Sequence, residues 1–208
     1  MEIILNAQSS IKIKSDKTFY FDPYLIQEET HDADYIFITH EHYDHFDLDS
    51  IKKVSNENTI IILPDSMAIK VLFKLNRDKT RGVNPNEKYN IDGLEFSTIP
   101  SYNTNKEFHK KEYKWVGYLI KIEDKIIYVA GDTDITEENK QVKCDIAFVP
   151  IGGTYTMNYE EAAELINTIK PETVIPIHYH TIVGDREDAI KFKELISDNI
   201  DCQIIMEW

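Results

Sequence analysis

Tyr35-Ile-Phe-Ile-Thr-His-Glu-His-Tyr-Asp-His-Phe-Asp47 runs from an apolar segment straight into four potential metal ligands, His40, His42, Asp44 and His45, packed into six residues. Tyr35 to Thr39 is aromatic and β-branched and predicts a short buried strand. Whatever follows such a strand sits at its carboxyl end, where α/β layers leave a crevice for ligands. Three imidazoles and a carboxylate suit a borderline divalent ion such as zinc, which takes nitrogen and oxygen donors near tetrahedral geometry. His40 and His42, two apart, can converge on one ion. Asp44 and His45 are adjacent and more easily serve a second, so the spacing implies two neighbouring metals.

The 208 residues form one ordinary domain spanning 1–208, too short for a catalytic domain plus a large accessory one. Apolar residues make up 42% of the chain and aromatics 11%, which fits a globular protein, and no segment approaches a membrane span of ~18 apolar residues. The N-terminus, Met1-Glu-Ile-Ile-Leu-Asn6, lacks the basic start and long apolar core of a signal peptide, so the expectation is a cytoplasmic protein with no membrane partner. Cys144 and Cys202 match no Cys-x-x-Cys spacing and read as buried small apolar residues. With 23 basic against 37 acidic side chains the net charge is −14. That disfavours a nucleic-acid partner, whose binding relies on Lys and Arg displacing counterions, and leaves a small-molecule substrate.

Along the chain, residues 1–22 alternate around Ile3, Leu5, Ile11, Ile13, Phe19 and Phe21 as an antiparallel meander, with Asn6 to Ser10 as turn material. A helix over Leu48–Val54, a strand over Thr59–Leu63 and a helix that Asp65 caps and that runs to about Leu75 continue a βαβα rhythm. Arg77–Pro85 reads as a charged excursion, and Ile91-Asp-Gly-Leu94 as a hairpin turn into a strand reaching Ile99. Strands over Trp115–Ile122 and Lys125–Ala130 deliver Gly131-Asp132 to a rim. A strand over Asp145–Pro150, a helix over Tyr159–Ile169 capped by Asn158, a strand over Thr173–Ile177 ending at His178, a helix capped by Asp185 and a closing strand over Gln203–Met206 complete the chain. No sequence repeat is evident. The elements predict an α/β (α+β) fold, a four-layer αββα sandwich of two mixed sheets flanked by helices.

The motif His40-x-His42-x-Asp44-His45 after an apolar strand resembles the signature of the metallo-β-lactamase fold superfamily. Val129-Ala-Gly-Asp-Thr-Asp134, Pro150-Ile-Gly-Gly-Thr-Tyr-Thr156 and Ile175-Pro-Ile-His-Tyr179 are similar to its branch of small metal-dependent hydrolases related to ascorbate-phosphate lactonase. The resemblance extends over nearly the whole chain. It implies that Asp132 bridges two ions, usually Zn2+ with Mn2+ or Fe2+ as alternatives, that His178 joins Asp44 and His45 on the second, and that Asp22 stands behind the His cluster. The residues alone leave Asp22 open between that role and turn initiation. The resemblance further implies hydrolysis of an ester-type bond, in a lactone, phosphodiester or similar small molecule, by metal-activated water; Asp44, beside the second ion, is the candidate to orient that water and take its proton. Members of this branch often self-associate, which makes a homo-oligomer one expectation. One departure stands out: the third His that most members add to the first metal is absent from Ile99-Pro-Ser-Tyr-Asn-Thr104. Asn103 offers a carbonyl oxygen there or a hold on a water, and His109, six residues on in a flexible-looking polar loop, offers an imidazole that can swing in. Without either, the alternative is a weakly catalytic metal-binding or sensing domain on the same scaffold. His180, two past His178, reads either as an acid lining the pocket or as a partly exposed strand-end histidine, and His31 reads as a surface histidine.

Overall fold

The computed structural model describes residues 1–71 and 74–206. The chain folds into two compact units, 1–84 with Met206, and 85–205. The first holds β1 (Glu2–Ala7), β2 (Ser10–Lys14), β3 (Thr18–Phe21), β4 (Tyr35–Phe37), α1 (Leu48–Val54), β5 (Ile60–Pro64), α2 (Asp65–Val71) and β6 (Thr80–Val83). These strands form a mixed sheet in simple chain order, with β1, β2 and β3 antiparallel and β3 to β6 parallel. Tyr20, Ile36, Ile38, Ile61 and Leu63 on one face make a core with Ile51 and Val54 of α1 and Met67 and Val71 of α2. On the other face Phe21 stacks on Phe37 and Phe19 on Tyr35, at ring separations of 4.9 and 5.6 Å. Both faces of β4 are therefore buried, which is why this stretch reads as an unbroken apolar run rather than an alternating one.

The second unit holds β7 (Lys88–Ile91), β8 (Leu94–Pro100), β9 (Val116–Ile122), β10 (Lys125–Val129), β11 (Ile146–Pro150), α3 (Tyr159–Ile169), β12 (Thr173–Ile177), α4 (Arg186–Leu195) and β13 (Asp201–Cys202). Its sheet order is β13-β12-β11-β10-β9-β8-β7, antiparallel from β7 to β10 and parallel from β10 to β13. Asp92 and Gly93 turn the β7–β8 hairpin with φ of 52° and 85°, the left-handed pair that a two-residue hairpin favours. Ala162, Leu165, Ile166 and Ile169 bury the inner face of α3.

The parallel strands set up the chemistry. In each unit their carboxyl ends share one edge: Asp22 follows β3 and His40 follows β4 in the first, while Asp132, Gly152 and His178 follow β10, β11 and β12 in the second.

Three expectations differ from the structure. The Arg77–Pro85 stretch contains β6, which pairs parallel with β5 over Ile61–Pro64; with one Val beside Arg81 and Gly82 it carries too little apolar pattern to read as a strand. The closing strand is Asp201–Cys202, ahead of the expected Gln203–Met206. Asp65 lies inside the first turn of α2 rather than before it, and the expected end of that helix crosses residues 72–73, outside the described residues. Burial pushes the thiol of Cys144 up to about 12 and that of Cys202 to about 11, so neither is a reactive thiolate near neutral pH.

Asn158 and Glu161 form a reciprocal capping box at the start of α3. Asn158→Ala is expected to lower unfolding stability by about 1 kcal/mol in urea titration, with metal content unchanged.

Candidate metal centre

In the first unit the metal-loop residues are held from behind by Asp22. Asp22 adopts a left-handed φ of 44°, uncommon for a residue with a side chain. Its carboxylate is buried and accepts three hydrogen bonds: Oδ1 from the Thr39 N–H (2.7 Å), and Oδ2 from the Thr39 hydroxyl (2.6 Å) and from His45 Nδ1 (2.7 Å). Burial pushes the Asp22 carboxyl up from its ordinary value, and the His45 and Thr39 bonds oppose that rise. With Nδ1 donating to Asp22, His45 presents Nε2 as its lone-pair nitrogen. Thr39 passes the constraint on, since its hydroxyl donates to Asp22 and so accepts from His40 Nδ1 at 3.0 Å. His40 likewise presents Nε2.

The loop itself is tightly wound. The N–H groups of His45 and Phe46 both donate to the His42 carbonyl, and Asp47 closes the segment by capping α1 through the N–H groups of Asp49 and Ser50. As a result His40 Nε2 lies 3.1 Å from His42 Nδ1, and His45 Nε2 lies 3.5 Å from Asp44 Oδ2. Two donors on one tetrahedral zinc at ~2.0–2.1 Å stand roughly 3.4 Å apart. Both pairs match such an edge.

The second unit carries a triad. His109 Nε2 and His178 Nε2 approach the same oxygen, Asp132 Oδ2, at 3.2 and 3.1 Å, with all three residues buried. His109 is locked from behind: Nδ1 lies 2.9 Å from Asn103 Oδ1 and 3.1 Å from the Tyr155 carbonyl. Asn103 Oδ1 also accepts from the His109 N–H, and Asn103 Nδ2 donates to Asp134 Oδ1 and to the Tyr155 carbonyl. The Asn103 amide is thus spent on placing His109. The loop that looked free to swing in the sequence is pinned at both ends.

Asp134 fixes that loop further, accepting from the Thr104 N–H at 2.8 Å and pairing with Lys106, while the Ser101 hydroxyl donates to the Asp132 carbonyl at 2.8 Å. His178 takes a left-handed φ of 56° directly above Gly152, where an added Cβ would come within 2.3 Å of the His178 carbonyl oxygen. His180 is exposed, in line with the strand-end alternative, and His31 is exposed as expected.

Sequence reasoning missed Gln8 altogether. It lies in the β1–β2 turn with φ of 52°, fully buried, and donates through Nε2 to Asp44 Oδ2 at 3.4 Å. A polar residue in a turn carries no signal of burial. Asp134 was visible only as the end of the Gly131-Asp132-Thr133-Asp134 motif.

The donor set fits divalent metal ions: imidazoles tethered through one nitrogen so that the other is presented, beside carboxylates. Comparison with known proteins agrees. A profile of the β-lactamase superfamily domain matches residues 6–178. A UPF0173 metal-dependent hydrolase of Pyrococcus abyssi is 31% identical over 202 residues, covering 89% of this chain and 88% of that one. The chain belongs to the β-lactamase superfamily, among the UPF0173 metal-dependent hydrolases. Another member of that family, from Pyrococcus horikoshii, is 30% identical across 93% of this chain and 91% of its own length. Among solved structures, that of a putative metal-dependent hydrolase from Parabacteroides distasonis superposes with a TM-score of 0.83 at 26% identity, covering 99% of this chain and 93% of that one. The two mixed sheets with flanking helices are the metallo-β-lactamase-type fold. Among the described residues no helix is long and apolar enough to cross a membrane.

Asp22→Asn in this UPF0173 hydrolase removes the charge that orients His45, and metal affinity measured by chelator competition is expected to fall about 10–100-fold. Gly152→Ala forces His178 off its position; the expected outcome is a lower melting temperature together with reduced metal content, and an unchanged metal content would contradict the packing argument.

Proposed function

We propose that the chain hydrolyses an ester-type bond in a small molecule, a lactone, phosphodiester or similar, at a binuclear zinc centre. In the arrangement that the superfamily resemblance implies, His40 and His42 hold one ion, Asp44, His45 and His178 hold the other, and Asp132 is shared; His109 is our candidate for the histidine that the first ion otherwise lacks. The observation that carries this reading is the convergence of two buried histidines, His109 and His178, on Asp132 Oδ2, at 3.2 and 3.1 Å. The same contact supports His109 as the candidate for the missing histidine, and with it the hydrolase reading over the metal-sensing alternative. Zinc is the ion best suited to these nitrogen and carboxylate donors, with Mn2+ and Fe2+ as alternatives.

Bound divalent ions lower the pKa of water to near ~7 and polarise the carbonyl or phosphoryl oxygen of a substrate. The protein's own groups do the rest. Asp44 orients the attacking water and takes its proton at Oδ1, while Gln8 Nε2 steadies Oδ2. Asp22 and Asn103 keep His45 and His109 in the tautomers that leave Nε2 for the metal. The resemblance to the ascorbate-phosphate lactonase branch puts lactones among the first substrates to try, and the net charge of −14 argues against polynucleotides.

Purified without chelator, the protein is expected to carry about two metal equivalents and to turn over members of a lactone and phosphodiester panel. Asp132→Ala should reduce turnover by at least about a hundredfold with circular dichroism unchanged; near-full activity in that variant would sink the bridging assignment.

A further inference from the structure

Two buried amide side chains stand beside the candidate ligands, and they differ in how much of their hydrogen-bonding capacity the protein uses. Asn103 is fully engaged: Oδ1 accepts from the His109 N–H and lies 2.9 Å from His109 Nδ1, while Nδ2 donates to Asp134 Oδ1 and to the Tyr155 carbonyl. Gln8 is only half engaged. Its Nε2 donates to Asp44 Oδ2 at 3.4 Å, whereas its carbonyl oxygen Oε1 is buried and receives no hydrogen bond from any described residue. The hydroxyl of the neighbouring Ser9 is buried and also without a partner, so it does not supply the missing donor.

The orientation of the Gln8 amide is fixed by Asp44, because the flipped amide would set Oε1 against a carboxylate oxygen, acceptor against acceptor. Asp44 Oδ2 is also the oxygen that lies 3.5 Å from His45 Nε2, so the amide touching it stands at the Asp44–His45 pair, within the same compact unit. Amide planarity keeps Oε1 roughly 2.3 Å from Nε2, which places the idle acceptor there too. Position 8 thus combines a left-handed φ of 52°, complete burial of a polar side chain and an acceptor without a donor. Each of these disfavours the folded chain, and one hydrogen bond of 3.4 Å does not offset them. A buried acceptor left open beside a candidate reaction centre is accounted for by a donor that arrives in use. The donor at hand is the attacking water, which carries two O–H groups and finds only one acceptor in Asp44 Oδ1.

We propose that Gln8 is a catalytic residue whose Oε1 accepts the second O–H of the attacking water, so that Gln8 and Asp44 together aim the water's lone pair at the substrate. This rests on the hydrolase reading above and adds a residue to it. The water oxygen bonds to the electrophilic carbon or phosphorus, and one of its protons passes to Asp44 Oδ1. That proton goes on to the leaving oxygen as the ester bond breaks. The other proton stays on the attacking oxygen throughout, held by Gln8 Oε1, which neither gains nor loses a proton.

The test has two arms, both on the full chain loaded with zinc. A crystal structure is expected to show one ordered water within about 2.6–3.2 Å of both Gln8 Oε1 and Asp44 Oδ1. Gln8→Met keeps the length of the side chain but neither amide atom; it is expected to lower kcat by at least about tenfold while KM and metal content stay unchanged. A loaded centre with no water on Oε1, or with Oε1 bonded to a protein donor instead, overturns the proposal and leaves the metal centre standing. So does a Gln8→Met protein whose kcat stays within about twofold of the unmodified chain, or whose loss of activity follows a loss of metal, since the amide then does no more than support Asp44. Should Gln8→Met fail to fold, the crystallographic arm alone decides. An unmodified, zinc-loaded protein that cleaves nothing in the lactone and phosphodiester panel overturns the hydrolase reading and this inference with it.

Discussion

A buried carboxylate that accepts three hydrogen bonds holds the histidine loop of this protein in place. Asp22 bonds the Thr39 N–H, the Thr39 hydroxyl and His45 Nδ1, and through Thr39 it also sets His40. An unpaired carboxylate at 1% exposure would be strongly disfavoured, so the arrangement exists only while all three donors are aimed at it. Those donors are supplied by the end of β4, and Asp22 by the end of β3. The Asp22 N–H donates to the Phe37 carbonyl at 2.9 Å, extending the β3–β4 pairing by one bond past the strand end. Strand pairing, a left-handed backbone and imidazole orientation are thus one cooperative unit, and a change at any of the three is felt at the others.

The same construction recurs in the second unit with different chemistry. Each unit begins as an antiparallel meander and then continues as parallel strands, and in each an aspartate follows the last meander strand. Asp22 follows β3; Asp132 follows β10, where the Ala130 N–H continues the pairing to the Phe148 carbonyl at 3.0 Å. Asp22 stands behind histidines as their hydrogen-bond acceptor, whereas Asp132 faces two histidine Nε2 atoms directly. The carboxyl end of a parallel strand, next to a strand that runs the same way, offers side chains a common rim in both cases. Only the path of the chain repeats; the residues do not, which is why the sequence shows no repeat.

Polar residues away from the metal loop supply the rest of the order. Asn103, Asp134 and the Tyr155 carbonyl lock His109, and Gly152 leaves room for the strained His178 backbone. Asp22 and His178 take left-handed conformations just past the strand ends, in keeping with strain being tolerated where surrounding contacts over-determine it.

The sequence by itself determined what rests on neighbours a few residues apart. The Tyr35–Thr39 run, the four ligands of the metal loop, the Asn158–Glu161 capping box and the helix it starts, the strand ending at His178, and membership of the superfamily were all legible, because apolar period and cap chemistry act within about one turn or one strand. Tertiary structure decided what depends on partners far along the chain. Whether His109 swings or is pinned turns on Asn103 at 6 residues and on Tyr155 at 46 residues' distance in sequence, and whether Gln8 is a turn residue or a buried contact of Asp44 turns on a partner 36 residues away. Strand β6 exists because β5 offers it a free parallel edge, not because its own residues favour extension. Ligand types are written locally, but the tautomer, orientation and burial of each ligand are set by hydrogen bonds that only the folded chain brings together.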